Sequence, residues 1–261
     1  MKNLIALFCV ASAVTALADT PAASDNVFGV LRVDIGANTK EAIIAVPWLD
    51  PGTGNDIKVT DVIKTANLDV GTQLFYYNTS TKIYQVWNLG ESSAGKTWTA
   101  ATDPENPTPE QTLSRGNAIL LRAVENGTLP SSVYLYGQVA TSAAGEVVLA
   151  EGTATMQAYT LIAPPTVSET DLNTGATWKN VNAGDSIVIS TSPSLKLLVW
   201  DVASSKWGIK TGYDSTKNAN TYDYSAAKIS AGQGAWYSSA RRPSQGNPTT
   251  VTWLNTPKTE N

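Results

Sequence analysis

Histidine is missing from this 261-residue sequence, and cysteine occurs once, at Cys9. The absence of histidine removes the commonest general base, the Ser-His-Asp and Cys-His constellations and the histidine ligands of metal sites. Cys9 lies in an N-terminal segment that we expect to be cleaved, which also removes disulfides, thiolate nucleophiles and iron–sulfur centres. We therefore predict a protein with no catalytic residues, no metal site and no cofactor.

Clustered positive charge and long apolar stretches are scarce as well. The formal net charge is −4, and Arg241–Arg242 is the only pair of adjacent arginines. Recognition of phosphates needs clustered Lys and Arg, so we expect no nucleic-acid partner. Beyond the N-terminus no stretch approaches the ~18 apolar residues of a membrane-spanning helix, so we expect no transmembrane segment.

Residues 1–18 have the pattern of a secretory signal peptide. Lys2 supplies a positive start, residues 4–17 are predominantly apolar, and Ala16-Leu17-Ala18 forms an A-x-A cleavage site. We expect cleavage after Ala18 and a mature chain that starts at Asp19. The protein should then be exported to the periplasm, the cell surface or the medium.

One β-hairpin pattern occurs twice along the chain. Residues 70–88 read VGTQLFYYNTSTKIYQVWN, and residues 183–201 read AGDSIVISTSPSLKLLVWD. An ungapped alignment at an offset of 113 matches Gly71 with Gly184, Leu74 with Ile187, Phe75 with Val188, Val86 with Val199 and Trp87 with Trp200. β-Branched and aromatic runs bounded by Gly, Pro, Asn and Ser predict strands here. For residues 56–65, periodicity leaves a helical turn and a short strand equally open.

The repeat extends beyond the hairpins. Residues 43–48 correspond to 160–165, residues 112–123 to 228–240, and the last strand at 131–140 to that at 249–255. This pattern predicts an all-β protein of two tandem, pseudo-symmetric β-sandwich or barrel-like units, residues 27–140 and 146–255. The sequence leaves open whether the two units share one core.

The repeat resembles a loosely defined group of exported, mostly uncharacterised bacterial proteins with tandem β repeats. Their units contain an apolar strand ending in Pro, a Gly-led hairpin with Trp, and a Gly-x-Gly-x-aromatic strand. The residues that carry the resemblance are Pro47, Gly71, Trp87 and Gly116 in the first unit and Pro164, Gly184, Trp200, Gly232, Gly234 and Trp236 in the second. The first unit departs from the last element, because it reads GNAIL there. The resemblance implies a secreted β fold and carries no activity.

Two S-x-x-K matches, Ser93–Lys96 and Ser225–Lys228, resemble the motif of penicillin-binding enzymes, and Lys-Thr-Gly occurs at residues 210–212. In those enzymes the serine begins a long helix that places the lysine one turn away. Gly95, β-branched residues and prolines follow Ser93, so no such helix is expected. We interpret both matches as chance.

Tryptophan is unusually frequent, with eight residues against three phenylalanines. Exposed Trp and Tyr rings can stack on sugars or fill pockets of a partner. We expect Trp87 and Trp200 to be core residues. The candidate ligand-binding residues are those beside predicted loops: Trp98, Trp178, Trp207, Tyr213, Tyr222, Tyr224 and Trp236.

Acidic residues are weaker candidates for a catalytic or calcium-binding site. Twenty-two Asp and Glu residues provide many carboxylate pairs for glycoside hydrolysis and single out none. Asp50, Asn55 and Asp56 could hold calcium, but their spacing also suits an ordinary Asx/Gly turn.

The sequence therefore favours an exported, non-catalytic structural, adhesive or surface-associated β protein. The alternative is a carbohydrate-binding module that uses loop-side Trp and Tyr, and a glycan-active hydrolase with a carboxylate pair comes third. The expected partners are a polysaccharide or a cell-surface protein. Exposure of the loop-side tryptophans distinguishes the first two functions, because a ring that binds a ligand must reach solvent.

Overall fold

The computed structural model describes residues 28–78, 83–101, 112–139, 146–191, 194–242 and 246–254. The predicted signal peptide lies outside the described residues, as do most of the 101–112 insert and the joint at 141–145. No helix in the described ranges has the length and apolar character needed to cross a bilayer.

The prediction of an all-β fold is confirmed. The first half contains β1 Phe28–Asp34, β2 Glu41–Ala45, β3 Trp48–Leu49, β4 Ile57–Lys58, β5 Gln73–Asn78, β6 Ile83–Ser92, β7 Gly95–Ala100, β8 Thr112–Leu113, β9 Ala118–Arg122 and β10 Ser132–Val139. The second half contains β11 Glu146–Val148, β12 Ala158–Ile162, β13 Thr170–Asp171, β14 Ala176–Lys179, β15 Ser186–Thr191, β16 Ser194–Asp201, β17 Lys206–Asp214, β18 Ala219–Asp223, β19 Lys228–Ile229, β20 Ala235–Ser239 and β21 Thr250–Trp253. A single helical turn, α1 Val59–Val62, follows β4, so the ambiguous segment 56–65 holds both a short strand and a turn of helix.

The strands form open antiparallel sheets with closely related orders in the two halves. In the first half they are β2-β9-β5-β6-β7, β1-β10-β3 and β4-β8. In the second they are β12-β20-β15-β16-β17-β18, β11-β21-β14 and β13-β19. The second half adds β18 at the sheet edge. In the first half, β3 of the three-stranded sheet precedes β4 of the two-stranded sheet along the chain. In the second half this order is reversed, because β13 of the two-stranded sheet precedes β14 of the three-stranded sheet. Superposition of residues 27–140 on 146–255 stays a prediction.

The hairpin register corrects the sequence alignment at one point. Leu74 pairs with Trp87, whereas Ile187, its counterpart, pairs with Leu198. Four residues separate the paired ends Asn78 and Ile83 of the first hairpin, whereas two residues separate Thr191 and Ser194 of the second, so the returning strand of the second hairpin is offset by two residues. Trp200 therefore corresponds to Leu89, and the predicted match of Trp87 with Trp200 is wrong. A shift of two residues keeps the same face of a strand, so both rings still point towards the core side.

Each half has its own apolar core. Inward residues such as Leu74, Trp87 and Trp98 build the first core, and Ile187, Trp207 and Trp253 build the second. These positions alternate along the strands with residues that point to the opposite face, as the pleat requires.

A third apolar cluster joins the two halves. It consists of Ile43, Ala45, Ala118 and Leu120 from the first half and Leu161 and Ala163 from the second, with Phe75, Tyr84 and Trp236 packed against it. Because strand β5 supplies Leu74 to one core and Phe75 to this cluster, its sequence is apolar on both faces. The two halves therefore pack together through the outer faces of their larger sheets.

The contacts between the halves are reciprocal. The Ala45 N–H donates to the Gly232 carbonyl at 2.8 Å, and the Ala163 N–H donates to the Gly116 carbonyl at 3.2 Å. Isolated bridges repeat the exchange, since Ile44 pairs with Gln233 and Asn117 with Ile162. Each half therefore both donates and accepts a backbone hydrogen bond at this contact.

Glycine is required at both reciprocal turns. Gly116 and Gly232 have φ values of 91° and 72°, a region that other residues adopt only at a cost. A Cβ on Gly116 would lie 2.9 Å from Val147, and a Cβ on Gly232 would lie 2.4 Å from Val33. Each glycine thus lets its backbone approach the opposite half closely.

Candidate functional site

The structure removes two predicted aromatic residues from the ligand-binding set. Trp98 and Trp207 are 2% and 0% exposed, so neither ring has a face available to a ligand. Trp98 lies opposite Leu89 in the first core, and Trp207 lies opposite Trp200 in the second. Both residues lie shortly after a turn, in strand positions that face the core. The strand pairing therefore buries them, although they stand beside loops in the sequence.

Trp236 lies at the contact between the two halves. Its ring centroid is 6.2 Å from that of Tyr84 and 6.4 Å from that of Tyr159. The Tyr84 hydroxyl donates to the Tyr159 carbonyl at 3.0 Å, and burial raises the pKa of Tyr84. Trp236 therefore holds the halves together, which accounts for its partial burial without a ligand.

Trp178 forms one wall of a groove of about 440 Å³ in the second half. Trp200 lines the same groove, with Val202 and Ser205 from the β16–β17 turn. The remaining lining residues are Asn173, Ala176, Thr177, Asn180 and Val181. None of the nine lining side chains is ionisable.

The buried ring of Trp207 fixes both tryptophans of the groove. Trp178 and Trp200 pack edge-on against it at centroid distances of 5.2 and 5.0 Å. The Trp178 indole N–H also donates to the Leu172 carbonyl at 2.9 Å. The Asn173 side-chain amide adds to this support, because it accepts from the backbone N–H of Trp207 at 2.8 Å and donates to the Trp207 carbonyl at 3.0 Å. The groove walls are therefore held before any ligand arrives.

Sequence reasoning missed Trp200 as a site residue. We expected it to be a core residue equivalent to Trp87, but the shorter hairpin moves it two residues closer to the β16–β17 turn. At that place near the end of the sheet its ring is only partly buried. The sequence carries no signal for this shift, because the two hairpin segments align without a gap and only the strand pairing shows that their loops differ in length.

The three predicted tyrosines lie together on the outer face of the six-stranded sheet. A bulge between Lys210 and Gly212 changes the alternation of β17. As a result Tyr213 pairs with Asn220, which shares a face with Tyr222 and Tyr224. The Tyr222 and Tyr224 rings stack at 6.0 Å with an interplanar angle of 22°.

Two exposed leucines continue this outer face on β16. Leu195 and Leu197 are 70% and 54% exposed. They share a face with Val199, which pairs with Gly208 on the tyrosine side of β17. We call the surface formed by Leu195, Leu197, Tyr213, Tyr222 and Tyr224 the tyrosine face.

Polar groups border the tyrosine face. The Lys206 ammonium lies 5.7 Å from the centre of the Tyr224 ring. The Tyr224 hydroxyl donates to Asp201 at 2.5 Å, and this hydrogen bond raises the pKa of Tyr224. Lys210 pairs with Tyr222 and shares its face. The face therefore combines apolar and aromatic side chains with one cation among them, and it carries charge of both signs near the β16–β17 turn.

A buried ionic network lies in the second half. Asp185 is fully buried, and its carboxylate accepts from the Asn182 N–H, the Ala240 N–H, the Tyr237 hydroxyl and the Arg242 guanidinium at 2.7–2.9 Å. Burial, and then the charge of Asp185, raise the pKa of Tyr237. Through these four hydrogen bonds the Asp185 carboxylate joins the turn before β15 to β20 and the segment that follows it.

The S-x-x-K matches lie in turns and strands. Ser93 stands in the β6–β7 turn, and the Lys96 ammonium donates to the Leu68 carbonyl at 2.6 Å. Ser225 donates to Asp223 at 2.6 Å in the turn after β18, and Lys228 pairs with Glu169 at 3.3 Å. Neither serine begins a helix that would present its lysine.

The Asp50 segment forms an Asx turn. Asp50 Oδ1 accepts from the Gly52 and Thr53 N–H groups at 2.9 Å, and Asp56 accepts from the Ser114 hydroxyl at 2.7 Å. The backbone bond from Thr53 contributes most to lowering the pKa of Asp50. Within the described ranges, no group of three or more acidic or thiol side chains is arranged to hold a metal ion.

No family model, curated protein or solved structure matches the chain.

Proposed function

We propose that this is an exported, non-catalytic structural protein that associates with a second copy of itself through the tyrosine face. The observation that supports this proposal is the continuity of that face with the contact between the two halves. The apolar surface that packs half against half extends along the same sheet into solvent.

One row of the six-stranded sheet carries this continuity. Leu161 pairs with Trp236, Trp236 with Val188, and Val188 with Leu197. Leu161 and Trp236 lie in or against the cluster between the halves, whereas Leu197 is mostly exposed. A sheet face of this kind buries its apolar side chains by packing on another sheet.

The chemistry of the tyrosine face suits a second copy. Tyrosine is enriched in the centres of protein interfaces because its ring is large, rigid and amphipathic. The face itself carries the Lys210 cation opposite Tyr222. Its border carries the Lys206 cation and the Asp201 carboxylate. Two copies related by a two-fold axis can therefore place opposite charges across the contact.

Sedimentation velocity of the mature chain tests this function. Across about three decades of concentration around the micromolar range, we expect the mass to rise from one copy to two. Leu197→Lys places a charge at the centre of the face and should raise the dissociation constant at least tenfold, a loss of about 1.4 kcal/mol. Val148→Lys is the matched control, because Val148 is 46% exposed on β11 in a different sheet.

Replacing residues 213–226 with a short Gly/Ser linker provides a second variant. It removes the edge strand β18 and leaves a five-stranded sheet like that of the first half. We expect this variant to fold and to remain a single copy. A wild-type protein that stays monomeric at every concentration would refute the proposal, as would unchanged association of Leu197→Lys.

A further inference from the structure

We propose that the groove between Trp178 and Trp200 is a binding site for a neutral saccharide, with a sugar ring stacked on the exposed part of Trp200. The site is separate from the tyrosine face and does not depend on self-association. It combines a suitable size, two fixed aromatic rings and a lining without charge.

The dimensions of the groove suit a small number of sugar rings. Its volume of about 440 Å³ falls within the ~300–1,000 Å³ that is typical of ligand sites. Since the Trp178 and Trp200 centroids each lie about 5 Å from that of Trp207, they are within about 10 Å of each other. A ligand in the groove can therefore contact both indoles.

The lining selects for a neutral, polyhydroxylated ligand. Hydroxyl and amide groups of Thr177, Asn180 and Ser205 lie beside the aromatic walls. A charged sugar would lose hydration on entering the groove and find no opposite charge in the lining. A neutral pyranose offers an apolar face for an indole and hydroxyl groups for the polar side chains.

Preorganisation favours binding at this place. Trp178 is fixed by its bond to the Leu172 carbonyl, and the rings of Trp178 and Trp200 both rest on Trp207. Ordering a flexible side chain on binding lowers the affinity, and here the fold has already ordered the two rings. The groove walls should therefore move little when a saccharide binds.

Isothermal titration calorimetry with neutral hexasaccharides of glucose, mannose, galactose, xylose and N-acetylglucosamine tests the site. We expect at least one of them to bind the mature protein and hexagalacturonate not to bind. Because no charge pairs form, the affinity should change less than twofold on adding salt. The Leu197→Lys variant should bind the same sugar with unchanged affinity, which separates this site from the tyrosine face.

Two variants locate the binding. Trp200→Ala removes the stacking ring and should weaken binding at least tenfold, about 1.4 kcal/mol. Val202→Glu adds a charge at the groove rim without touching the core, because Val202 is 58% exposed. A sugar bound against Val202 in the groove would remove water from the new carboxylate, so the substitution should weaken binding to the same degree. Val70→Glu is the control, a comparably exposed valine in the first half, and should bind like the wild type.

The proposal is overturned if no neutral hexasaccharide binds at about 10 mM, a concentration that detects even millimolar affinities. It is also overturned if Val202→Glu binds as tightly as Val70→Glu. Val202→Glu keeps the test decisive even if Trp200→Ala fails to fold.

Discussion

Replacing Arg242 with methionine should lower the free energy of unfolding by about 3 kcal/mol, since breaking a buried ion pair typically costs about 3–5 kcal/mol. The change leaves the fully buried Asp185 carboxylate without the guanidinium that lies 2.8 Å away. Methionine keeps the length and apolar packing of the arginine stem, so the loss reports mainly on the charge.

Two features place the expected loss at the lower end of that range. The Asp185 carboxylate keeps three donors, the N–H groups of Asn182 and Ala240 and the hydroxyl of Tyr237. In addition, the Arg242 Nε atom is buried with no hydrogen-bond partner among the described residues, and the substitution removes that unfavourable group.

Urea unfolding followed by tryptophan fluorescence measures the effect. In thermal unfolding of a chain of this length, the same loss of 3 kcal/mol corresponds to a decrease in melting temperature of roughly 6–12 °C. Arg241→Met is the matched control, because Arg241 is the exposed neighbour and should change stability by less than about 0.5 kcal/mol. The double variant Arg242→Met with Asp185→Asn should lose less than the sum of the single losses, because the two side chains share one interaction.

A loss below about 1 kcal/mol for Arg242→Met would refute this reasoning, because surface ion pairs are worth no more than that. Strict additivity in the double variant would refute it as well. Either result would mean that water reaches the carboxylate and that the network is not buried in solution.

The packing gives two further predictions, and the N-terminal sequence gives a third. Trp87→Ala should cost about 3–5 kcal/mol in urea unfolding because its ring is buried, and Trp200→Ala should cost less because its ring is partly exposed. Gly232→Ala should destabilise the protein by at least about 1 kcal/mol more than Gly95→Ala, since both glycines have positive φ but only a Cβ at Gly232 meets side chains of the other half. N-terminal sequencing of native material should begin at Asp19, and material that keeps residues 4–17 would contradict the signal-peptide prediction.

The class of fold was readable from the sequence because strand patterns are local. Short runs of β-branched and aromatic residues in segments such as 73–78, bounded by Gly and Asn, specify strands without knowledge of the rest of the chain. The spacing of repeated hairpins was readable for the same reason. Prolines and glycines after Ser93 were enough to predict that no helix follows the S-x-x-K match.

Exposure of the aromatic residues was decided by pairings between strands. Trp200 lines a groove because its hairpin loop is two residues shorter than that of Trp87, and Tyr213 joins Tyr222 because of one bulged residue. A change of one residue in register moves every later side chain to the other face, and composition does not reveal such a change.

Contacts between distant segments were decided only by the tertiary structure. Asp185 and Arg242 are 57 residues apart in the sequence. The Ala163 N–H of the second half donates a hydrogen bond to the Gly116 carbonyl of the first half. The free energy of such contacts depends on burial, because a carboxylate or a carbonyl removed from water must find its partner inside the protein. The sequence by itself determined the strands and the two hairpins, and the packing of the two halves decided which of its residues are buried, joined or left open to a ligand.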